Sequence, residues 1–266
     1  MAEILADGQV SQDRSYIHLR QTKGYGYGIK EILYHNSSCF TQGLLYDADS
    51  KVFIESCGEY NRSMIQIYSL EKKKVFSKQR IPGEGIARID NTILLLTWKE
   101  HTGFVYSLQK NKLFLKHRIL YSTSTGDGWG AAEGYLPSSQ RVVFVSDGSC
   151  FIHVWDAKSL KELSRKCIQD PSTSSPLTMI NELEFVHGHL LANLWGSSRI
   201  AVIDWTHGKV VRFIDFSYLE RLVKLPSDSY SRTNAVLNGI AYDEEKNELY
   251  LTGKFWNRMF RVELFQ

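Results

Sequence analysis

The chain has 266 residues, 43% hydrophobic and 12% aromatic, enough apolar matter for a sizeable core. Its 32 basic and 29 acidic residues leave a formal charge of +3, with no basic run longer than Lys72-Lys73-Lys74, so the basic face that nucleic-acid binding needs is absent. No apolar stretch reaches the length of a membrane span, and Met1-Ala-Glu-Ile-Leu-Ala-Asp7 lacks the basic and apolar regions of a signal peptide, so neither a membrane nor a leader is expected.

Residues 1–24 are polar and unpatterned and are expected to form a loose lead-in to a single domain over residues 25–266. Tyr27-Gly-Ile-Lys-Glu-Ile-Leu-Tyr34 follows as a strand-like segment, and then a repeat begins. Gln42-Gly-Leu-Leu-Tyr46, Glu84-Gly-Ile-Ala-Arg88, Trp129-Gly-Ala-Ala-Glu133, Asn181-Glu-Leu-Glu-Phe185 and Asn238-Gly-Ile-Ala-Tyr242 are near-copies led by different residues. Their lead positions lie 42, 45, 52 and 57 residues apart. Such a period, carried by β-type segments, marks a propeller with one four-stranded blade per repeat. The fold expected is therefore all-β, a five-bladed propeller of antiparallel blades.

Each repeat supplies an inner strand. Apolar runs give the second strands: Lys51–Ser56, Thr92–Trp98, Arg141–Ser146, Leu190–Trp195 and Glu248–Gly253. Third strands follow at Met64–Leu70, Gly103–Leu108, Cys150–Ala157, Arg199–Trp205 and Arg258–Leu264. The chain then stops at Gln266 with its fifth blade one strand short. The segment Tyr27–Tyr34 is the natural donor, because borrowing it closes the ring and removes exposed edges. Two insertions, Asp170–Leu177 and roughly Tyr218–Thr233, precede the fourth and fifth inner strands and are expected near the mouth; the second carries a short helical stretch.

The cysteines, Cys39, Cys57, Cys150 and Cys167, lack the CxxC spacing of a zinc knuckle. Each consecutive pair flanks a hairpin and lies within disulfide reach. With no secretory signal, four free thiols are the plainer reading. Sequons at Asn36 and Asn61 are too short to decide anything.

In a propeller the five lead positions converge on one axis, and the ends of the second strands return to the same face. That mouth gathers Gln42, Glu84, Trp129, Asn181 and Asn238 with Phe40, Trp98, Trp195 and Lys254. Taken singly, Glu84 between glycines reads as a turn residue, the tryptophans as core and Lys254 as a solvated charge. Shared register is what makes them a site. A lone carboxyl in an aromatic box is pushed up in pKa and can both give and take a proton near neutrality. Asp147 reads as a turn cap, Asn238 as a holder of neighbouring backbone, and His187 with His189 as a surface hairpin rather than a metal pair. Gly24-Tyr-Gly-Tyr-Gly28 and Gly126-Asp-Gly-Trp-Gly130 join no strand to a helix and are not phosphate loops.

These residues resemble the plant-type glutaminyl cyclases, a family of five-bladed propellers. The matching motifs are Phe40-Thr-Gln-Gly-Leu44, Gly83-Glu-Gly85, Leu96-Thr-Trp98 with Thr102-Gly-Phe104, Gly128-Trp-Gly130, Ser146-Asp-Gly-Ser149, Asn181-Glu-Leu-Glu184, Leu237–Tyr242 and Leu251-Thr-Gly-Lys254. The resemblance implies conversion of N-terminal glutamine of peptides or proteins to pyroglutamate with loss of ammonia. It places Glu84 as the catalytic acid and base, with Lys254, Asn181 and Gln42 polarising the amide or holding the amine. Phe40, Trp98, Trp129 and Trp195 become the aromatic cage. It also implies no metal or other cofactor and a secretory or extracytoplasmic setting; the chain itself is expected to be a monomer. Pro82 stands where family members carry an aromatic residue, so one wall of the pocket must be altered or supplied by an insertion loop, and residues 36–39 also depart from the family's stretch.

Two other function classes compete. A calcium-dependent propeller hydrolase of the lactonase kind would use Gln42, Glu84, Asn181 and Asn238 as oxygen donors, but it calls for further central carboxylates where this chain has tryptophans and a lysine. A non-catalytic scaffold would leave Glu84 without a task.

Overall fold

The computed structural model describes residues 26–265, so the lead-in expected over residues 1–24 lies outside the described residues. Strand β1 (Tyr27–Tyr34) comes first. Blade 1 is β2 (Thr41–Asp47), β3 (Val52–Cys57), β4 (Met64–Ser69) and β5 (Lys74–Arg80); blade 2 is β6 (Ile86–Ile89), β7 (Thr92–Leu95), β8 (Thr102–Gln109) and β9 (Lys112–Leu120). Blade 3 is β10 (Ala131–Tyr135), β11 (Arg141–Ser146), β12 (Phe151–Asp156) and β13 (Glu162–Cys167). After the short strands β14 (Gln169–Asp170) and β15 (Ser175–Pro176), blade 4 is β16 (Ile180–Val186), β17 (His189–Leu194), β18 (Arg199–Asp204) and β19 (Lys209–Asp215). Two single-turn helices, α1 (Ser217–Glu220) and α2 (Ser229–Thr233), lead to blade 5: β20 (Leu237–Asp243), β21 (Glu248–Gly253) and β22 (Arg258–Leu264).

The sheets form a five-bladed ring, and β1 closes it by pairing antiparallel with β22, from Tyr27 opposite Leu264 to Tyr34 opposite Arg258. The first segment of the domain thus completes the last blade. No helix among the described residues is long and apolar enough to cross a membrane.

Among the described residues the buried apolar side chains collect into five clusters, one at each blade boundary. Ile54, Ile67, Ile86 and Leu95 fill the boundary of blades 1 and 2; Ala87, Leu94, Val143 and Val145 that of blades 2 and 3. Phe144, Val154, Leu183 and Leu190 lie between blades 3 and 4, Ile200, Leu191, Ile240 and Leu251 between 4 and 5, and Leu44, Phe53, Ala241 and Met259 between 5 and 1. Both faces of each second strand are covered, which is why these runs are continuously apolar rather than alternating. Each fully buried Leu or Ile contributes roughly 1.5–3 kcal/mol, so stability is spread around the ring.

The axis explains the glycine in second place of four repeats. A Cβ on Gly85 would meet Gly130 backbone at 2.6 Å, and one on Gly130 would meet the Asn181 carbonyl oxygen at 2.1 Å. Neighbouring inner strands touch there. In the fourth repeat the position is Glu182, whose buried carboxylate reaches across the axis to accept from Leu44 N (3.4 Å) and Ile240 N (2.9 Å).

Both cysteine pairs are bonded, Cys39–Cys57 and Cys150–Cys167, against the plainer reading of free thiols. The insertions part company as well. β14 joins the outer edge of blade 4 by pairing parallel with β19 and antiparallel with β15, and no residue of 170–177 lines the axial cavity. The second insertion does reach the mouth. Its α1 is only one turn, shorter than the expected helical stretch, and α2 starts where Asp228 Oδ1 accepts from Ser231 N (2.8 Å).

Candidate active site

Irregular starts to the inner strands leave the lead residues out of the strand ladders. The β2–β3 ladder slips between Thr41 and Gly43, the β16–β17 ladder between Ile180 and Leu183, and the β20–β21 ladder between Leu237 and Ile240. Gln42, Asn181 and Asn238 fall in those slips. In blades 2 and 3 the ladder begins only at Ile86 and Ala131, leaving Glu84 and Trp129 just ahead of it. Bulges of this kind re-aim side chains beside active sites.

A cavity of about 580 Å³ opens on this face. It is lined by Phe40, Gln42, Glu84, Trp98, Trp129, Asn181, Trp195 and Lys254, every residue expected of the site. Asn238 is the lead residue that turns away: its Nδ2 donates to the Thr41 carbonyl at 2.8 Å, the backbone-holding role expected of it. With Asn238 diverted and the Gln42 amide oxygen accepting from Lys254, the donor set of a calcium hydrolase does not converge. Among the described residues the candidate metal cluster is His35, Cys39 and Glu55, and the disulfide removes its sulfur as a ligand.

Glu84 is only 7% exposed. Its backbone is pinned by Glu84 N to Leu96 O (2.9 Å), by Leu96 N to Gly85 O (2.9 Å), and by the Ser56 hydroxyl donating to its carbonyl. Burial pushes its carboxyl up to about 8; Lys254 opposes that rise, and the Glu100 and Asp127 charges add to it. Lys254 is fully buried and pushed down to about 7 by desolvation, against the pull of Glu84 and Glu182. Its Nζ lies 4.0 Å from the Phe40 ring centre and 4.5 Å from that of Trp195, so two ring faces and Gln42 hold it.

The aromatic wall is built from two groups of rings. Phe40 packs on Trp195 (6.1 Å between ring centres) and on Phe255 (5.3 Å), and Trp195 meets Trp129 edge to face at 6.4 Å. Trp98 packs against Tyr60 at 6.0 Å. Tyr60 and, from the second insertion, Tyr230 line the cavity together with Pro82, so aromatic surface absent at position 82 is present from other segments. Gly83 and the further residues Glu59, Ser63, Glu100, Met179 and Asn234 complete the rim, the last five outside the repeat register and missed by sequence reasoning. Met179 had one local signal, lying two residues before the lead Asn181. His187 and His189 sit at the far hairpin of blade 4, where His187 Nε2 contacts Asn247 Oδ1 (2.9 Å) and the Tyr242 hydroxyl (2.8 Å), a surface turn as expected.

Fold and cavity together define a five-bladed propeller with a buried acid and a buried amine facing one axial pocket. Residues 2–264 match the glutamine cyclotransferase family model. A glutaminyl-peptide cyclotransferase from Arabidopsis thaliana is 32% identical over 239 residues, covering 87% of this chain and 69% of that one. The crystal structure of Myxococcus xanthus glutaminyl cyclase aligns with a TM-score of 0.77 at 29% identity, over 90% of this chain and 96% of that one. The chain belongs to the glutamine cyclotransferase family.

Proposed function

We propose that the chain cyclises N-terminal glutamine of peptides or proteins, with Glu84 as proton relay. The observation that carries the assignment is the buried Glu84, raised to about 8, in one cavity with a buried Lys254 lowered to about 7. In the reaction the α-amine attacks the side-chain amide carbon, the new C–N bond closes the lactam, and the old C–N bond breaks to release ammonia. The amine must lose a proton and the departing nitrogen must gain one. One carboxyl whose affinity sits near neutrality can move that proton between them.

The tetrahedral intermediate carries an oxyanion that needs donors. Lys254 supplies them, oriented by Gln42 and by the faces of Phe40 and Trp195. Asn181, 2% exposed and on the cavity wall, holds the amine or the amide oxygen. Phe40, Trp98, Trp129 and Trp195 fold the glutamine side chain toward its own amine and exclude water, which would otherwise hydrolyse the amide. The cavity exceeds one glutamine side chain, so the rest of the substrate leaves past Tyr60 and Tyr230. The scheme draws on no metal. Incubation with a Gln-Xaa peptide tests it: the peptide should lose the mass of one ammonia, and an unchanged peptide rejects the reading.

A further inference from the structure

The indole cage has a keystone outside the repeat register. Trp98 lies in the loop after β7 of blade 2 and Trp129 just ahead of β10 in blade 3, so the two rings are carried by different blades. A single carboxylate oxygen joins them. Asp127 Oδ2 accepts from Trp98 Nε1 at 2.8 Å and from Trp129 Nε1 at 3.3 Å. Indole N–H groups only donate, whereas a carboxylate oxygen has lone pairs for two donors, so this contact satisfies both rings at once.

Asp127 is itself held from every side. Its neighbours are tied to the two blades through Gly128 N to Trp98 O (2.9 Å) and Trp129 N to Ser146 O (2.9 Å). Its carbonyl accepts from Thr123 Oγ1 (2.6 Å), and its N–H donates to Thr125 Oγ1 (3.2 Å). Thr125 in turn is bonded to Asp147, through its N–H to Oδ2 (3.0 Å) and its hydroxyl to the carbonyl (2.9 Å). Asp147, fully buried, caps its own turn by accepting from Ser149 N (3.1 Å) and lies 3.2 Å from His153 Nε2. Behind Trp129, a Cβ on Gly148 would meet the indole at 2.6 Å, so the ring lies flat on bare backbone. The loop of residues 123–128 is built to deliver one carboxylate to one place.

We propose that Asp127 is a positioning residue for glutamine cyclisation, its carboxylate locking the Trp98 and Trp129 indoles into the wall against which the glutamine side chain folds. This rests on the function proposed above. Asp127 also faces Glu84 electrostatically, together with Glu100 and Lys254, and its negative charge favours the protonated carboxyl of Glu84. Asp127 therefore acts on the chemistry twice, through the shape of the wall and through charge, and the two are separable. An asparagine keeps an amide oxygen for the indoles and loses the charge; an alanine loses both.

The test is kcat/KM for a Gln-Xaa peptide against pH in wild type, Asp127→Asn and Asp127→Ala, with Tm measured alongside. Asp127→Ala should lose roughly ten- to hundredfold in kcat/KM, the cost of a misplaced reacting geometry. Asp127→Asn should recover most of that loss, with the limb due to Glu84 moved to lower pH. A folded Asp127→Ala with nearly wild-type kcat/KM overturns the proposal, as does an Asp127→Asn that is equally impaired with its pH limb unmoved. If Asp127→Ala does not fold, Asp127→Leu, which keeps the bulk and removes both acceptor oxygens, takes its place: a comparable loss of kcat/KM supports the proposal, and a nearly wild-type kcat/KM overturns it. An inactive wild type overturns the cyclase reading and this inference with it, whereas an active wild type beside an unaffected Asp127→Ala overturns this inference only.

Discussion

Glu84 and Lys254, 170 residues apart in sequence, face one cavity, and burial drives their proton affinities together, Glu84 up to about 8 and Lys254 down to about 7. In water an acid and an amine lie about six pH units apart. Here burial has closed most of that gap, so the ion pair and the neutral pair lie close in free energy. A proton passed between substrate nitrogens in such a site meets no deep trap on the way.

Glu84→Gln should therefore remove the relay and keep the shape. A positioned acid–base group contributes roughly hundred- to ten-thousand-fold, and kcat should fall by that order while KM moves little. The wild-type profile of kcat/KM should be bell-shaped with its maximum near pH 7–8, because Glu84 titrates at about 8 and an α-amine at about 7.7–8.0. Below the bell both groups hold protons; above it neither does. Steady-state rates from pH 5 to 10 check this, and equal activity of Glu84→Gln would remove Glu84 from the mechanism.

The same burial predicts a stability gain in the same variant. A carboxyl raised from its ordinary value binds its proton more tightly in the folded chain, so folding stability falls as pH climbs from the unfolded pKa of about 4.3 toward about 8. Glu84→Gln does not titrate and escapes that loss. Its advantage in unfolding free energy over wild type should be small at pH 4.5 and grow steadily toward pH 7, approaching a slope of about 1.4 kcal/mol per pH unit, with Tm rising in parallel. An advantage independent of pH would show that Glu84 is not held in the protonated form.

What the sequence showed and hid follows from periodicity. Repeats made the inner strands, the donated strand Tyr27–Tyr34 and the meeting of Gln42, Glu84, Trp129 and Asn181 readable, because equivalent positions in a closed ring must converge. Trp98, Trp195 and Lys254 were readable because a hairpin returns its second strand to the face where the first began. Asp127, Tyr60, Glu100 and Tyr230 were not, since connecting loops carry no period and no register to transfer. Glu182 left a signal that went unused: the repeat has glycine in that place four times, and the one departure crosses the axis. The thiol pairs showed reach but not oxidation state, which depends on the compartment rather than on spacing.

His35 and Glu55 form a latch at the ring closure, and its pH dependence can be read directly. His35 follows β1, and its Nδ1 donates to the Trp256 carbonyl (2.7 Å) while Nε2 donates to Glu55 Oε1 on β3 (2.8 Å), so both nitrogens carry protons. Glu55 also accepts from Thr41 Oγ1 (2.8 Å) and Gln66 Nε2 (3.0 Å). Burial, the largest influence, works against both charges, yet the pair prevails: His35 is raised and Glu55 lowered. The His35 contribution is complete below about pH 6.5 and fades as pH rises through its raised value; that of Glu55 is complete above about pH 4.3 and fades on acidification. His35→Gln strands a buried carboxylate and should cost about 3–5 kcal/mol near pH 5.5, the usual consequence of breaking a buried pair. Thermal melts should show that difference from wild type narrowing as pH rises above about 6.5, the unfolded value; a constant difference would mean the latch is not ionic.

The two disulfides should stabilise the chain separately and comparably. Cys39–Cys57 spans 18 residues and ties the approach to β2 to the end of β3; Cys150–Cys167 spans 17 and joins the start of β12 to the end of β13. Loops of that size lose about 3 kcal/mol of unfolded-state entropy on closure, so each bridge contributes on that order. The first has a further effect, because Cys39 precedes Phe40 and its carbonyl accepts from Phe255 N (2.8 Å), which fixes the aromatic pair beneath Lys254. Replacing Cys39 and Cys57 together by serine should lower Tm by on the order of 5–10 °C and weaken kcat/KM. The same change at Cys150 and Cys167 should lower Tm alone, since no residue of that pair lines the cavity. Melting curves and peptide turnover of the two double variants distinguish these effects, and equal loss of activity in both would deny Cys39 its hold on Phe40.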